Sequence, residues 1–305
     1  MSGLLEVLGW SLLHSVWQGA LVAGGLWVVL RLLPPAASRA RYGASVLALA
    51  ALVALPALNY RETMALWSGH RTWVLATADG IVRSELAARG RAEMGAVRSE
   101  LRRRQATEWA PAATAPPGWP ARETARAFGL LWLLAVGVLG LRLVAEQRQA
   151  LRLSETGVPD EGWRGSARVV ADRLGIRRPV RVRVSDRVAV PALVGWRWPV
   201  VLVPVAAAGL AEDERDAVLA HELAHVARGD YFANLLQTAA EVVLFHNPAA
   251  WWVSARIREE RECCCDATAV GAVGGGAARY VRALLSLETG RSHARAALAL
   301  AGGPL

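Results

Sequence analysis

A chain of 305 residues is long enough for one sizeable domain plus further elements. Its 54% apolar share and mean hydropathy of +0.27 are too high for an ordinary soluble globule. The formal charge of +9 comes from 35 basic residues, all of them arginine, spread over loops between apolar spans rather than along one stripe. That distribution argues against direct nucleic-acid binding and for anionic lipid headgroups as the counter-charge. The three cysteines, Cys263, Cys264 and Cys265, are adjacent and therefore no structural staple. They read as reduced thiols packed on a cytosolic-side helix, with zinc ligation the lesser alternative.

Residues 7–30 form an uncharged stretch between Glu6 and Arg31, long enough to cross about 30 Å of hydrocarbon. It lacks a basic leader and exceeds a signal peptide's apolar region, so a retained helix is expected. Residues 42–60 form a second such stretch, bounded by Tyr42 and Tyr60 at headgroup level. A third covers 127–141, extended through Val144 if Arg142 snorkels to the interface, and the span is drawn at 126–146. Arg31, Arg39 and Arg41 with no acid make the first loop cytoplasmic, which puts the N-terminus and 61–125 outside. That outer segment reads as polar and partly helical around 84–104, then as a proline-rich tether over 109–120. Everything from 147 to 305 is then expected on the cytoplasmic side.

In that last region, Val180 to Ser185 alternate apolar and charged residues as a half-buried strand does. Two apolar runs, 188–194 and 199–204, flank Gly195, Trp196, Arg197 and Trp198, predicting a hairpin. After Gly209 a helix is expected, with Glu212, Asp213 and Glu214 in the first turn, where the helix dipole favours acids.

This helix carries His221, Glu222, Leu223, Ala224 and His225. Histidines four apart lie about 40° apart around the helix axis, so both imidazoles can reach one metal ion. Glu222, beside the first, points to the open coordination position, where it can take a proton from water and return it to a leaving amine. A third protein ligand is required. Glu262 and Asp266, four apart on a downstream helix, can supply one ligand and one hydrogen bond to a ligating imidazole.

The sequence resembles the BlaR/MecR group of bacterial integral-membrane gluzincin peptidases. The resemblance rests on His14, Ser15, Val16, Trp17 and Gln18, on the 194–204 hairpin, and on residues 221–230 and 258–266. Asn234 to Gln237 and Phe245 to Trp252 also carry it. It implies zinc, one ion per chain, held by His221, His225 and Glu262, with Glu222 catalytic and Asp266 supporting a ligand. It further implies proteolysis in signalling, often of a transcriptional repressor, at the bacterial cell membrane. The best-known members continue through a fourth span into a penicillin-binding sensor, whereas this sequence ends at Leu305 before either, so antibiotic sensing is not carried over. Members often read Pro directly after the histidine matching His246, where this sequence has Asn247.

Helix geometry separates Glu262 from its neighbours. Glu260 lies about 200° around from it, and Glu259 sits nearly two turns from Asp266, about 10 Å along the axis. Residues 232–253 look apolar enough for a fourth span, yet a crossing would part the histidines from Glu262, so none is expected. His14 and Gln18 are costly in lipid and read as helix-to-helix hydrogen-bonding groups. Tyr280, Arg279 and His246 are candidates for oxyanion stabilisation, each with a plain structural alternative. Strand 199–204 is either a core strand or an edge for an extended substrate.

The expected fold is therefore α+β: three transmembrane helices and a mainly helical gluzincin-type zinc peptidase domain with a small hairpin sheet. The expected function is cleavage of a protein substrate by a membrane-embedded zinc metalloendopeptidase compatible with a homo-oligomer. The alternatives are a broad-specificity housekeeping peptidase and a non-catalytic scaffold.

Overall fold

The computed structural model describes residues 2–89, 119–207, 209–273, 277, 278, 280–282 and 285. The chain is α+β. Among the described residues three long helices come first: α1 (Ser2–Leu32), α2 (Ser38–Arg89) and α3 (Trp119–Thr156). Then follow β1 (Val158–Pro159), α4 (Glu161–Arg173), β2 (Arg181–Ser185), β3 (Ala192–Val194) and β4 (Val200–Pro204). Helices α5 (Glu212–Arg228), α6 (Asp230–Val243) and α7 (Pro248–Ala272) complete the described elements. Contacts divide the chain into two compact units, residues 1–22, 50–136 and 246–249, and residues 23–49, 137–245 and 250–305.

Among the described residues, three helical stretches, Gly3–Leu32, Ser38–Ala65 and Glu123–Thr156, are long and apolar enough to cross a membrane. Each is longer than its uncharged sequence run, because arginine and glutamate are good helix formers and continue a helix past its apolar part. Helix α2 runs through Pro56 and well beyond Tyr60. The expected tether over 109–120 lies outside the described residues as far as 118, and its last two residues, Trp119 and Pro120, begin α3 instead. The third span is no buried core helix: 6% of its apolar window is buried, and Leu131, Val138 and Leu141 are exposed. Hydrocarbon is the solvent that suits such a surface.

In the first unit α1 and α3 approach closely. A Cβ on Gly9 would lie 2.0 Å from the Ala125 carbonyl oxygen, and one on Gly129 would lie 2.7 Å from that of Leu5. Lipid-facing helices lack a hydrophobic drive to associate, so close backbone packing of this kind holds them. Helices α1 and α2 exchange amide hydrogen bonds, Asn59 Nδ2 donating to Gln18 Oε1 at 2.8 Å and Gln18 Nε2 to Asn59 Oδ1 at 3.2 Å. His14 instead accepts from Trp17 Nε1 on its own helix at 3.2 Å.

In the second unit the sheet order is β1-β2-β4-β3, with β2 and β4 parallel and the outer pairs antiparallel. All five residues of β4 are buried. It is the core strand, and the edge of the sheet beside it is β3. Val182, Val201 and Val203 pack with Trp163 and Val170 of α4 and with Leu219 and Leu223 of α5 into one apolar core. That core buries one face of α5 and leaves the face with His221 and His225 free for chemistry.

Residues 232–253 do not form one helix. They are divided between α6 and α7, and Asn247 Oδ1 accepts the Ala249 N–H at 3.0 Å at the start of α7.

Candidate metal centre

Helix α5 begins with Glu212, Asp213 and Glu214 on the positive end of its dipole, and Glu214 Oε2 accepts the Ala211 N–H at 3.1 Å. It ends at Gly229, whose φ of 72° is the left-handed conformation that glycine adopts without a Cβ penalty. The turn returns the chain at once, so Asp230 comes back onto the last turn of α5.

One helical turn separates His221 from His225, and their ring centroids are 5.0 Å apart. Glu262 of α7 faces both. Its Oε2 is 3.4 Å from His221 Nε2 and 3.8 Å from His225 Nε2. The ligand atoms of these three residues lie within 4.8 Å of one another. Tetrahedral zinc with bonds of about 2.0–2.1 Å sets its ligand atoms about 3.3 Å apart, close to the two distances from Glu262 Oε2 to the imidazoles.

The other ring nitrogens are held too. His221 Nδ1 lies 3.1 Å from Asp266 Oδ1 and 2.9 Å from the Tyr280 hydroxyl, which itself donates to Asp266 at 2.7 Å. His225 Nδ1 lies 2.9 Å from Asp230 Oδ2 and 3.2 Å from Cys265 Sγ. In the neutral rings that bind a metal, a carboxylate on each Nδ1 fixes the N–H there and leaves each Nε2 lone pair free. Both free lone pairs point at the space beside Glu262 Oε2.

Electrostatics favour a cation at this point. Burial alone would lower the pKa of His221, but its bonds to Asp266 and Glu262 and the charge of Glu222 outweigh it and raise it to about 10. The Glu262 carboxyl is held below its ordinary range, chiefly by its contact with His221, and so is that of Asp266. Asp230 is 4% exposed; burial pushes its carboxyl up, yet hydrogen bonds from His225 and Cys265 and the Arg228 guanidinium bring it below the usual value. Glu222 moves the opposite way, because burial raises its carboxyl more than the two imidazoles lower it.

Three anionic carboxylates around two imidazoles thus draw a proton onto His221 when no other cation is present. That donor set and charge suit a divalent zinc ion.

Neighbouring acids are occupied elsewhere. Glu260 pairs with Arg41 at 2.7 Å and Glu259 pairs with Arg256. Cys264 and Cys265 are buried and Cys263 is exposed, all as free thiols. Cys265 Sγ donates to Asp230 Oδ2 at 3.1 Å, and burial and that bond raise its pKa, keeping it a thiol. His225, Asp230 and Cys265 form a second cluster of potential ligands, but its members satisfy one another through the nitrogen that faces away from Glu262.

Sequence reasoning missed Asp230 and Cys265 as imidazole partners. The available signals were an acid directly after the glycine that ends α5, and a cysteine one turn from Glu262. Tyr280 is 3% exposed and bound to Asp266, so its hydroxyl is used in orienting His221. Arg279 lies outside the described residues. His246 belongs to the first unit, where its ring meets Phe128 edge-on and its Nε2 lies 3.5 Å from Ser15 Oγ.

Residues 76–302 match the family described as BlaR1 peptidase M56. The regulatory protein BlaR1 of Bacillus licheniformis is 24% identical over 142 residues, which are 46% of this chain and 24% of that protein. The matched part of the chain thus spans about a quarter of the length of that relative. A family match over most of the sequence, joined to three membrane-length helices and a histidine–glutamate cluster, places this chain in the BlaR1 peptidase M56 family.

Proposed function

We propose that the chain is a zinc metalloendopeptidase that cleaves a protein substrate at a bacterial cell membrane, in signal transduction. The observation that carries this reading is the pair of carboxylate-held imidazoles, His221 on Asp266 and His225 on Asp230, aimed with Glu262 at one point. His221, His225 and Glu262 would hold one zinc ion. When bound in such a site, zinc lowers the pKa of a water molecule to about 7 and polarises a carbonyl.

Glu222 is the general base and then the general acid. It is placed by the same helix as both histidines, and burial raises its carboxyl, which brings its proton affinity nearer to neutrality. It takes a proton from water as the peptide carbonyl is attacked and returns it to the leaving amine. Asp266 and Asp230 keep the two rings in place throughout.

The signalling role rests on the similarity to a relative named a regulatory protein, and a transcriptional repressor is the substrate class that the family resemblance implies. The bilayer is the second partner, and the zinc domain faces the cytoplasm because Arg31, Arg39 and Arg41 crowd the loop after α1. Cysteine reporters at Ser84 and Thr156 should then label from opposite sides.

Glu222→Ala tests the chemistry. The variant should keep about one zinc per chain and lose activity by about 100- to 10,000-fold, the contribution typical of a general acid–base. Comparing peptides released by wild type and variant identifies the substrate. Undiminished activity in metal-free wild type ends the reading.

A further inference from the structure

A cleft of about 600 Å³ opens in the second unit between α4 and β2. Its size is that of sites that take small molecules, roughly 300–1,000 Å³. None of His221, Glu222, His225 or Glu262 lines it.

Its wall is cationic. Arg164, Arg168, Arg178, Arg181 and Arg183 are among its 13 lining residues, with Asp172 as the one carboxylate. Arginine is 35 of 305 residues in the whole chain, so this wall is enriched about threefold beyond the general arginine bias. Arg164 pairs with Glu161. Arg183 donates to the carbonyls of Glu155 at 2.6 Å and Gly157 at 3.1 Å, and Arg178 donates to those of Trp196 and Val226.

Bonds to carbonyls hold these two side chains in place but leave their charge in force. Among the described residues, Arg168, Arg178, Arg181 and Arg183 have no carboxylate in an ion pair. Arg168 and Arg181 are exposed, with guanidiniums available to a ligand.

The remaining lining is apolar, with Ala171, Ile176 and Val182 among it. A rim of fixed and free guanidiniums over an apolar floor suits one chemistry. Guanidinium forks match phosphate oxygens in bidentate pairs, and the floor takes a less polar body. We infer that this cleft binds a phosphate-bearing anion with an apolar portion: the headgroup region of an anionic phospholipid, or a soluble phosphate compound such as a nucleotide. It shares no residue with the metal centre, so it stands or falls independently of the peptidase reading.

The test uses the full chain in an uncharged detergent. Calorimetric titration with dihexanoylphosphatidylglycerol and, separately, with ATP asks which source the cleft accepts. Two double variants remove equal charge: Arg168→Ala with Arg181→Ala in the cleft, and Arg187→Ala with Arg197→Ala at exposed positions outside it. Saturable binding of at least one probe is expected, weakened about 10- to 100-fold by the cleft pair and unchanged by the outer pair.

Binding of the lipid alone identifies a headgroup site, and binding of ATP a soluble phosphate site. Unchanged melting temperatures keep a loss of binding from being read as misfolding. Equal weakening by both pairs would mean diffuse surface charge and would overturn the inference. No saturable binding of either probe would also overturn it.

Discussion

Asp230 Oδ2 lies 2.9 Å from His225 Nδ1, and the two residues are brought together by the left-handed turn at Gly229. Asp230 also faces Arg228 Nε at 3.2 Å and the Cys265 thiol at 3.1 Å, so a single buried carboxylate ties α5, the turn and α7 to one imidazole. Removing it should cost zinc more than it costs the fold of α5, which is held from its other face by Leu219 and Leu223. Asp230→Ala should weaken zinc about 10- to 100-fold, as loss of a ligand's hydrogen-bond partner does. Competition with a chromogenic chelator measures it; unaltered affinity would mean His225 needs no such support.

The acids of α7 should separate by function. Glu262→Ala should lose zinc and activity together, while Glu259→Ala, whose parent pairs with Arg256, should change neither. Glu260→Ala should keep zinc but lower stability. Glu260 is 6% exposed, and its removal leaves Arg41 without its carboxylate, a loss of about 1.5–3 kcal/mol for a charged hydrogen bond. Metal content and thermal melting of the three variants together check the assignment. Zinc lost from Glu259→Ala and kept by Glu262→Ala would mean that the other face of α7 holds the metal.

Zinc binding should depend on pH through His221. Its pKa in the metal-free protein is raised to about 10, so the ring carries a proton at neutral pH and zinc must displace it. The sign follows: below that pKa, affinity should fall about tenfold for each unit of pH, one proton being released per ion bound. Above it the dependence on this group should level off. Calorimetry in buffers of different ionisation enthalpy counts the proton directly. A flat profile from pH 6 to 8 would contradict the charge balance described for the site.

Helix packing in the first unit makes a separate prediction. Gly9→Ala places a Cβ 2.0 Å from the Ala125 carbonyl oxygen, a backbone atom that cannot rotate away. The variant should be destabilised by about 1–3 kcal/mol, the usual cost of overpacking. Gly24→Ala and Gly25→Ala, with nothing near the added carbon, should be neutral or better. Melting temperatures in one detergent compare them.

The convergence of His221, His225 and Glu262 was legible because these residues lie on helices, and helical periodicity converts sequence spacing into direction. His221 and His225, and again Glu262 and Asp266, are pairs four residues apart, and spacing alone puts each pair on one face. The break between α6 and α7 was legible from Asn247 and Pro248 themselves, because a helix seldom continues through an Asn-Pro pair.

Asp230, Cys265 and Tyr280 were not legible in the same way. Their contacts depend on a glycine turn and on how two helices cross, which no local pattern encodes. Helix ends escaped for another reason. An uncharged run measures the apolar part of a span, and charged residues of good helix propensity carried α2 and α3 further. Sheet order was equally hidden: the 199–204 run has the same apolar character as a central or an edge strand, and only pairing with both β2 and β3 makes it central.

Within seven residues of α7, Glu260 meets Arg41, Glu262 meets both imidazoles, Cys265 meets Asp230, and Asp266 meets His221 and Tyr280. These partners surround the helix on several sides, so its rotation about its own axis has one acceptable setting. One residue inserted between Glu260 and Asp266 would turn everything beyond it by about 100° and shift it about 1.5 Å. Point substitutions here lose one contact at a time, whereas a length change loses several at once. Insertions and deletions in natural or laboratory variants should therefore be absent from this stretch even where its individual side chains vary.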